Sequence, residues 1–237
     1  MLKNKIIIVN IAFNVLRKFH VPPRPQPETV LTKEWIENRM DIFMNYAMKS
    51  LSNQTNNNFI ALVRYEDCTK NLIREALRKY DKVPNNVIFV KNSKFSRHIK
   101  KLIIHYDYFY LVRLDSDDMY HKTYIQRLYD FKHNTDTKVL INRKGFVYNS
   151  LTNQMATYSN PSPPFYTLIY KTDDYLNGVR YSIPKHRDAI KLPHKILKGY
   201  NFIVNIHSIN TSSKFNNKNK IMNPSKVSTI LKEFKGE

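Results

Sequence analysis

The sequence is short of several things, and each shortage excludes something. It has one cysteine, Cys68, in 237 residues, so no intrachain disulfide and no cysteine-based zinc site can form. It has four glycines, and residues 1–144 contain none, which argues against a Gly-rich phosphate loop, collagen-like repeats or a flexible linker. No apolar run approaches the ~20 residues that a membrane helix needs. The opening MLKNKIIIVNIAF sets basic residues before an apolar run, as a signal peptide does. The run is short, Asn10 interrupts it and no small-residue cleavage site follows, so the expectation is a buried first strand. Acidic residues are scarce too: 19 against 39 lysines and arginines, a formal net charge of +20. Such an excess favours anionic partners, namely nucleotides, nucleic acid or an acidic membrane surface. A source genome biased towards Lys, Asn and Ile accounts for part of it.

What is present suffices for a sizeable core. Hydrophobic residues make up 42% and aromatics 13%, and the length suits one large α/β domain. Lys5 to Ile11 is a continuous β-branched run, as in a parallel strand covered on both faces. The four prolines between Arg17 and Pro27 rule out a helix there. A helix begins after Thr32, its cap, with the apolar stripe Trp35, Met40, Phe43, Met44, Ala47 and Leu51. Strands are expected at 59–65, 87–90 and 108–114, followed by helices at 70–80 (with Thr69 as cap), 93–105 and 122–132. Four strand–helix repeats predict a right-handed, mostly parallel sheet with helices on both faces. From about residue 135 the pattern changes to strands joined by turns, at 139–147, 154–159, 165–170 and 201–206. The expectation is a single domain with halves at about 1–134 and 135–211 and a basic tail from 212. The tail is loose until a short helix near Ser225. Its KVSTILKEFK is weakly amphipathic, and is either a solvated helix or a segment resting on anionic lipid.

The acidic cluster carries the chemistry. Open α/β sheets bind ligands beyond the carboxyl ends of their strands, and Asp115, Asp117 and Asp118 stand there, directly after YFYLVRL. Three carboxylates within four residues repel one another and need a counter-charge. A hard divalent cation, Mg²⁺ or Mn²⁺, is the natural one, held by one or two carboxylates with phosphate oxygens and water. The competing reading is a turn whose aspartates cap the next helix.

LVRLDSDDMYHKTYIQRL resembles the strand, Leu-Asp-x-Asp-Asp and helix of GT-A glycosyltransferases, especially the inverting family 2 group. FIALVRYEDCT resembles the earlier strand of that group that ends in an acidic nucleotide-binding turn. With Trp35, NRMDIF, LSNQTNNNF and the late VNIHSIN, the ordered set resembles the bacterial rhamnosyltransferase family over about residues 5 to 215. The resemblance implies a nucleoside-diphosphate sugar donor (UDP, dTDP or GDP type), a carbohydrate or glycoconjugate acceptor, and Mn²⁺ or Mg²⁺. The first half would hold the nucleotide and the second the acceptor. Asp67 would contact the base or ribose, Asp115 the ribose and the metal, and Asp117 would be the main carboxylate ligand. Asp118 would support that turn or cap the next helix. His207 is the candidate late histidine for the metal or the diphosphate, and Asn210 would orient the phosphate or the loop. Arg17, Lys94 and Arg97 lie where cations could neutralise the departing diphosphate. An inverting enzyme also needs a base for the acceptor hydroxyl. Asp173, Asp174 and Asp188 are the candidates, with His186 beside Asp188, and Asp188 is preferred over Asp174. The expected setting is the cytoplasm, with peripheral contact to the inner face of the membrane as an option.

Three other functions compete, one of them an interaction module whose basic surface binds anionic lipid. A nucleic-acid-binding protein or metal-dependent nuclease would use the charge, and the aromatics interleaved with bases at 105–110 and 124–131. Apolar periodicity places most of those rings in cores, and no specific nucleic acid is expected. A nucleotidyltransferase shares the sheet and the carboxylate–metal logic. It normally has a Gly-rich basic loop after its first strand, and glycine is absent there.

Overall fold

The computed structural model describes residues 4–16, 28–81, 83–132, 134–209, 215 and 220–236. Arg17, the rest of the proline-rich loop and Asn210 lie outside these described residues.

Strand β1 (Lys5–Ala12) lies inside a seven-stranded sheet. It pairs in parallel with β2 (Ile60–Tyr65) on one side and β4 (Tyr108–Asp115) on the other, and β3 (Val87–Lys91) extends the sheet beyond β2. Past β4 the sheet becomes mixed. Strand β9 (Tyr166–Lys171) runs antiparallel between β4 and β6 (Val139–Ile141), and β10 (His194–Ile196) closes that edge. The residues of β1 explain its central place. Ile7, Val9 and Ile11 pack with Ile36, Met40 and Phe43 of α1 (Lys33–Phe43). Ile6 and Ile8 face the other way, towards Ile99 and Ile103 of α4 (Phe95–Ile103). The run is apolar at successive positions because both faces are covered.

Helix α1 starts as its sequence predicts, with the Thr32 hydroxyl accepting from Trp35 N–H at 3.3 Å. It runs through a wider π turn at Met44–Met48 into α2 (Lys49–Ser52). Helices α3 (Lys70–Leu77) and α5 (Tyr124–Asp130) follow β2 and β4, each shorter than expected. Thr69 does not cap α3: its hydroxyl donates to Glu66 O at 2.8 Å and accepts from Asn14 Nδ2 at 3.1 Å.

The second half departs from expectation at 139–147. These residues form two strands in two sheets. After β6 the chain breaks at Asn142 and re-enters as β7 (Lys144–Asn149) of a four-stranded sheet. In that sheet β7 pairs with β8 (Gln154–Ser159) and β11 (Tyr200–Ile206), and β11 pairs with the two-residue β5 (Met119–Tyr120). Asn142 makes the switch possible. Fully buried, its side chain donates to Tyr124 Oη at 3.0 Å and Phe165 O at 3.1 Å, and accepts from Asn201 Nδ2 at 2.9 Å. A continuous strand would leave that amide without these partners. Gly145, the first glycine in the chain, lies so close to β11 that a Cβ would stand 2.4 Å from Phe202 O. A short helix, α6 (Thr172–Leu176), follows β9.

The tail helix α7 (Pro224–Lys235) is capped by Asn223, whose side chain accepts from Lys226 N–H at 2.9 Å, and Gly236 ends it at φ 82°. Its apolar residues Val227, Leu231 and Phe234 are buried against Met119, Phe146 and Ile203. The expectation of a solvated or lipid-resting segment is therefore corrected, because the apolar face already covers the second sheet. Among the described residues no helix is long and apolar enough to cross a membrane. Phe234→Ala should cost about 3–5 kcal/mol in urea unfolding, as for a buried aromatic. A loss of only a few tenths would mean that the helix is peripheral.

Candidate active site

The site is built by one turn and the strand that hooks over it. Strand β4 ends at Asp115, and the chain turns through Ser116, Asp117 and Asp118, with Asp118 N–H donating to Asp115 O at 3.2 Å. It continues as β5, which pairs antiparallel with β11 through Met119↔Ile203 and Tyr120↔Phe202. That pairing carries the end of β11 back across the turn. Asn205 N–H donates to Asp118 Oδ1 at 3.0 Å, and His207 Nε2 comes to 3.0 Å from Asp117 Oδ2. The expected meeting of Asp117 with the late histidine is thus present.

Arg39 of α1 joins them. Its Nε donates to Ser116 Oγ at 2.9 Å and its Nη1 to Asp117 Oδ2 at 3.1 Å, and Nη1 stands 3.3 Å from His207 Nε2. Its guanidinium lies over the Trp35 ring, 5.7 Å from the centroid. The side chains of Arg39, Asp117 and His207 are 15%, 14% and 4% exposed. Asp115 has a separate partner: Arg113 Nη2 donates to both its oxygens, at 2.7 and 2.8 Å, while Arg113 Nη1 donates to Pro164 O at 2.6 Å.

Asp117 and Asp118 therefore titrate differently. Burial pushes Asp117 up, but Arg39 and then His207 overcome this and hold it down at about 2. Asp118 has no such cation beside it. Burial, with the charges of Asp117 and Asp115 added, pushes it well above the usual carboxylate range.

This donor set does not fit a divalent ion held by Asp115, Asp117 and His207 together. Both Asp115 oxygens face Arg113, and Asp117 and His207 converge on space that the Arg39 guanidinium occupies. No group of three His, Cys, Asp or Glu side chains able to hold a metal stands together among the described residues. The counter-charge that the acidic cluster requires is present as two guanidinium groups.

The remaining candidates separate by position. Asp67 stands at the carboxyl end of β2, as expected, where it accepts from Ser93 N–H at 3.1 Å and Ser93 Oγ at 2.6 Å. It thereby ties the turn after β2 to the turn after β3, and these hydrogen bonds hold its pKa low. Lys94 lies in that second turn and Arg97 in the first turn of α4, both exposed. Asp173 and Asp174 belong to the wrong end of the sheet. Strand β9 runs antiparallel to β4, with Lys171 opposite Tyr108. The two aspartates that follow are therefore about seven residues of strand, roughly 23 Å, from Asp115. That corrects the choice of Asp174 as a base. Asp188 lies in a 3-10 turn, His186–Lys191, whose His186 ring is 6.2 Å from Tyr166 near the active edge. Its carboxylate accepts from Lys185 N–H at 3.0 Å and pairs with Lys191 Nζ at 2.9 Å. Tyr108, Phe109, Tyr110 and Tyr124, offered as stacking rings for nucleic acid, are buried.

Residues 26–210 match the family described as "Putative rhamnosyl transferase". The chain belongs to that family. The fold agrees: the crystal structure of residues 1–349 of S. aureus TarS in complex with UDP-GlcNAc superposes with a TM-score of 0.50, at 13% identity, over 97% of this chain and 71% of that one. TarS 1–349 alone gives 0.47 at 14% identity, over 84% of this chain and 60% of that one. The 4-diphosphocytidyl-2C-methyl-D-erythritol synthase of Anaerococcus prevotii gives 0.38 at 12% identity, over 85% and 87%. No curated protein matches the chain. The protein is a glycosyltransferase with a GT-A-like sheet.

Three arginines at the active edge of this rhamnosyl transferase family member were not singled out from its sequence. Arg113 and Arg64 interrupt otherwise apolar strands, in LVRLD and LVRYE. A charge in such a run is a usable signal, because buried charges need partners. Both sit beside β1: Ala12 is paired with Arg64 on one side and with Asp115, next to Arg113, on the other. Arg64 lies 4.5 Å over the Phe95 ring and donates to Asn92 Oδ1 at 3.3 Å. Arg39 left only the faint signal of falling one helical turn after Trp35.

Asp118→Asn keeps an acceptor for Asn205 N–H and cannot ionise. Because the folded pKa of Asp118 is raised, the native state keeps a proton that the unfolded chain releases above about pH 4. Wild-type stability should fall from there up to the folded pKa. The variant, measured by urea unfolding at pH 5 and pH 7, should gain stability relative to wild type at the higher pH. Asp117 does not interfere, since its contribution is lost only as pH falls from the ordinary range towards about 2. An equal difference at both pH values would show Asp118 ionised in the fold.

Proposed function

We propose that the protein moves a sugar from a nucleoside-diphosphate sugar to an acceptor hydroxyl by a single inverting displacement, in the synthesis of a bacterial surface glycan or glycoconjugate. The observation that carries this is the meeting of Asp117, His207 and Arg39 at the carboxyl edge of the parallel strands, with Arg64 and Arg113 on the same edge. In open α/β sheets that edge binds ligands, and clustered guanidinium groups suit a diphosphate. The TarS structure with this fold contains UDP-GlcNAc, which supports a nucleotide-sugar donor of UDP, dTDP or GDP type.

In the displacement, the acceptor oxygen attacks the anomeric carbon from the side opposite the leaving group. The carbon–oxygen bond to the diphosphate breaks, and its electron pair stays on the phosphate oxygen. The hydroxyl proton passes to a base on the acceptor side. Asp188 is the second-half carboxylate nearest that edge, and it would have to loosen its hold on Lys191 to serve. The charge of the leaving diphosphate has to be met by a cation; Mn²⁺ or Mg²⁺ at Asp117 would have to displace Arg39, and the protein's own guanidinium groups are the alternative.

Calorimetric titration with UDP, GDP and dTDP, in buffer containing Mn²⁺, tests the reading. One nucleotide should bind, and Asp117→Ala should weaken it by about tenfold or more, on the scale of a lost charged interaction. Absence of nucleotide binding, together with tight and salt-sensitive binding of oligonucleotides, would transfer the protein to the nucleic-acid class.

A further inference from the structure

We propose that Arg39 takes the place of the divalent metal at the acidic motif, so that the nucleoside diphosphate binds to a guanidinium and needs no metal ion. This rests on the glycosyltransferase reading above and names the cation that the reading leaves open.

The first support is that each motif carboxylate already has its own partner. Asp115 receives two hydrogen bonds from Arg113, Asp117 is bonded to Arg39 and His207, and Asp118 accepts from Asn205 N–H. A metal binding at Asp117 and His207 would have to displace Arg39 and strip three contacts from its guanidinium.

The second is that Arg39 is fixed in position. Ser116 Oγ, Asp117 Oδ2 and the Trp35 ring hold it from three directions. An arginine held like this loses little further freedom when it meets an anion. Preorganised charge at the point where negative charge develops is what stabilises a leaving group.

The third is that the guanidinium has donors to spare. An arginine has five N–H groups. Nε and Nη1 are engaged, and Nη2 makes no hydrogen bond to any described residue. Its two N–H groups remain for phosphate oxygens, while the side of the fork that meets Ser116 and Asp117 keeps the group aligned. When the bond from the anomeric carbon breaks, the electron pair stays on the phosphate oxygen and Arg39 stabilises it without giving up a proton.

The test uses the full chain and whichever of UDP, GDP and dTDP binds, titrated by calorimetry once in EDTA and once in Mn²⁺. Wild type should bind equally in both, within about threefold. Arg39→Gln should lose about tenfold or more in EDTA and recover part of it in Mn²⁺, because Asp117 and His207 are then free to take the ion. Arg39→Lys should fall between the two. Wild-type binding that appears only with Mn²⁺ would overturn the proposal and leave the glycosyltransferase reading intact, as would Arg39→Gln binding like wild type in EDTA. No nucleotide binding in either buffer would overturn both. Should Arg39→Gln fail to fold, Arg39→Lys tests the residue, and the wild-type comparison still decides whether a metal is needed.

Discussion

Two residues of antiparallel pairing, Met119 and Tyr120 against Ile203 and Phe202, are what the rest of the structure leans on. Without them the end of β11 has no reason to return to the end of β4, and His207 would not meet Asp117. The short strand is secured far beyond its own two residues. Ser50 Oγ accepts from Tyr120 N–H at 2.9 Å and donates to Tyr120 O at 3.0 Å. The Tyr120 ring stacks on Tyr124 with centroids 3.9 Å apart, and its hydroxyl donates to Arg113 O at 2.8 Å. Met119 is buried under α7. The helix before β2, the strand carrying the acidic turn and the final helix thus converge on one dipeptide. Phe202, opposite Tyr120, belongs to the same apolar core as Ile7 and Val9 of the large sheet, so the two sheets are joined through the same place.

The acidic turn resolves its own repulsion by making its three carboxylates unlike. In a low-dielectric setting, like charges this close cannot all be tolerated without compensation. Asp115 keeps a dedicated arginine at the strand end, Asp117 stays ionised between a guanidinium and an imidazole, and Asp118 moves towards its neutral form against a backbone N–H. Counting carboxylates would assign the cluster three negative charges and a demand for metal. Counting partners gives Asp115 and Asp117 an arginine each and leaves Asp118 to a backbone N–H.

The large sheet was legible because its signals are local. A β-branched run covered on both faces, a Thr cap and four strand–helix repeats need no knowledge of distant residues, and they placed Asp67, Asp115 and Asp117 at the carboxyl ends of β2 and β4, where they stand. What was not legible depends on pairs far apart in the chain. The break at Asn142 follows from Tyr124, Phe165 and Asn201, which an Asn in an apolar run does not reveal. The direction of β9 decides which end of the sheet receives Asp174, and alternation of side chains is the same whichever way a strand runs. An amphipathic tail reads alike whether its apolar face meets water, lipid or a second sheet. The helical stripe from Trp35 to Leu51 was read correctly as core, yet Arg39, on the margin of that stripe, bonds a carboxylate 78 residues away.

The bulk charge of +20 is a poor guide to where the chemistry lies. Lys94 and Arg97, chosen because they were basic and near the right edge, are exposed. The arginines that shape the site are few, mostly buried and engaged on one side by protein. The distinction is geometric as well as electrostatic. A lysine ammonium bonded to Asp117 would be a compact point charge, largely spent on its partner. A guanidinium is planar and forked, so one edge can answer Asp117 and Ser116 while another faces a phosphate. That two-sidedness allows one side chain both to balance a buried carboxylate and to offer charge to a ligand, the two tasks otherwise expected of a metal at this motif.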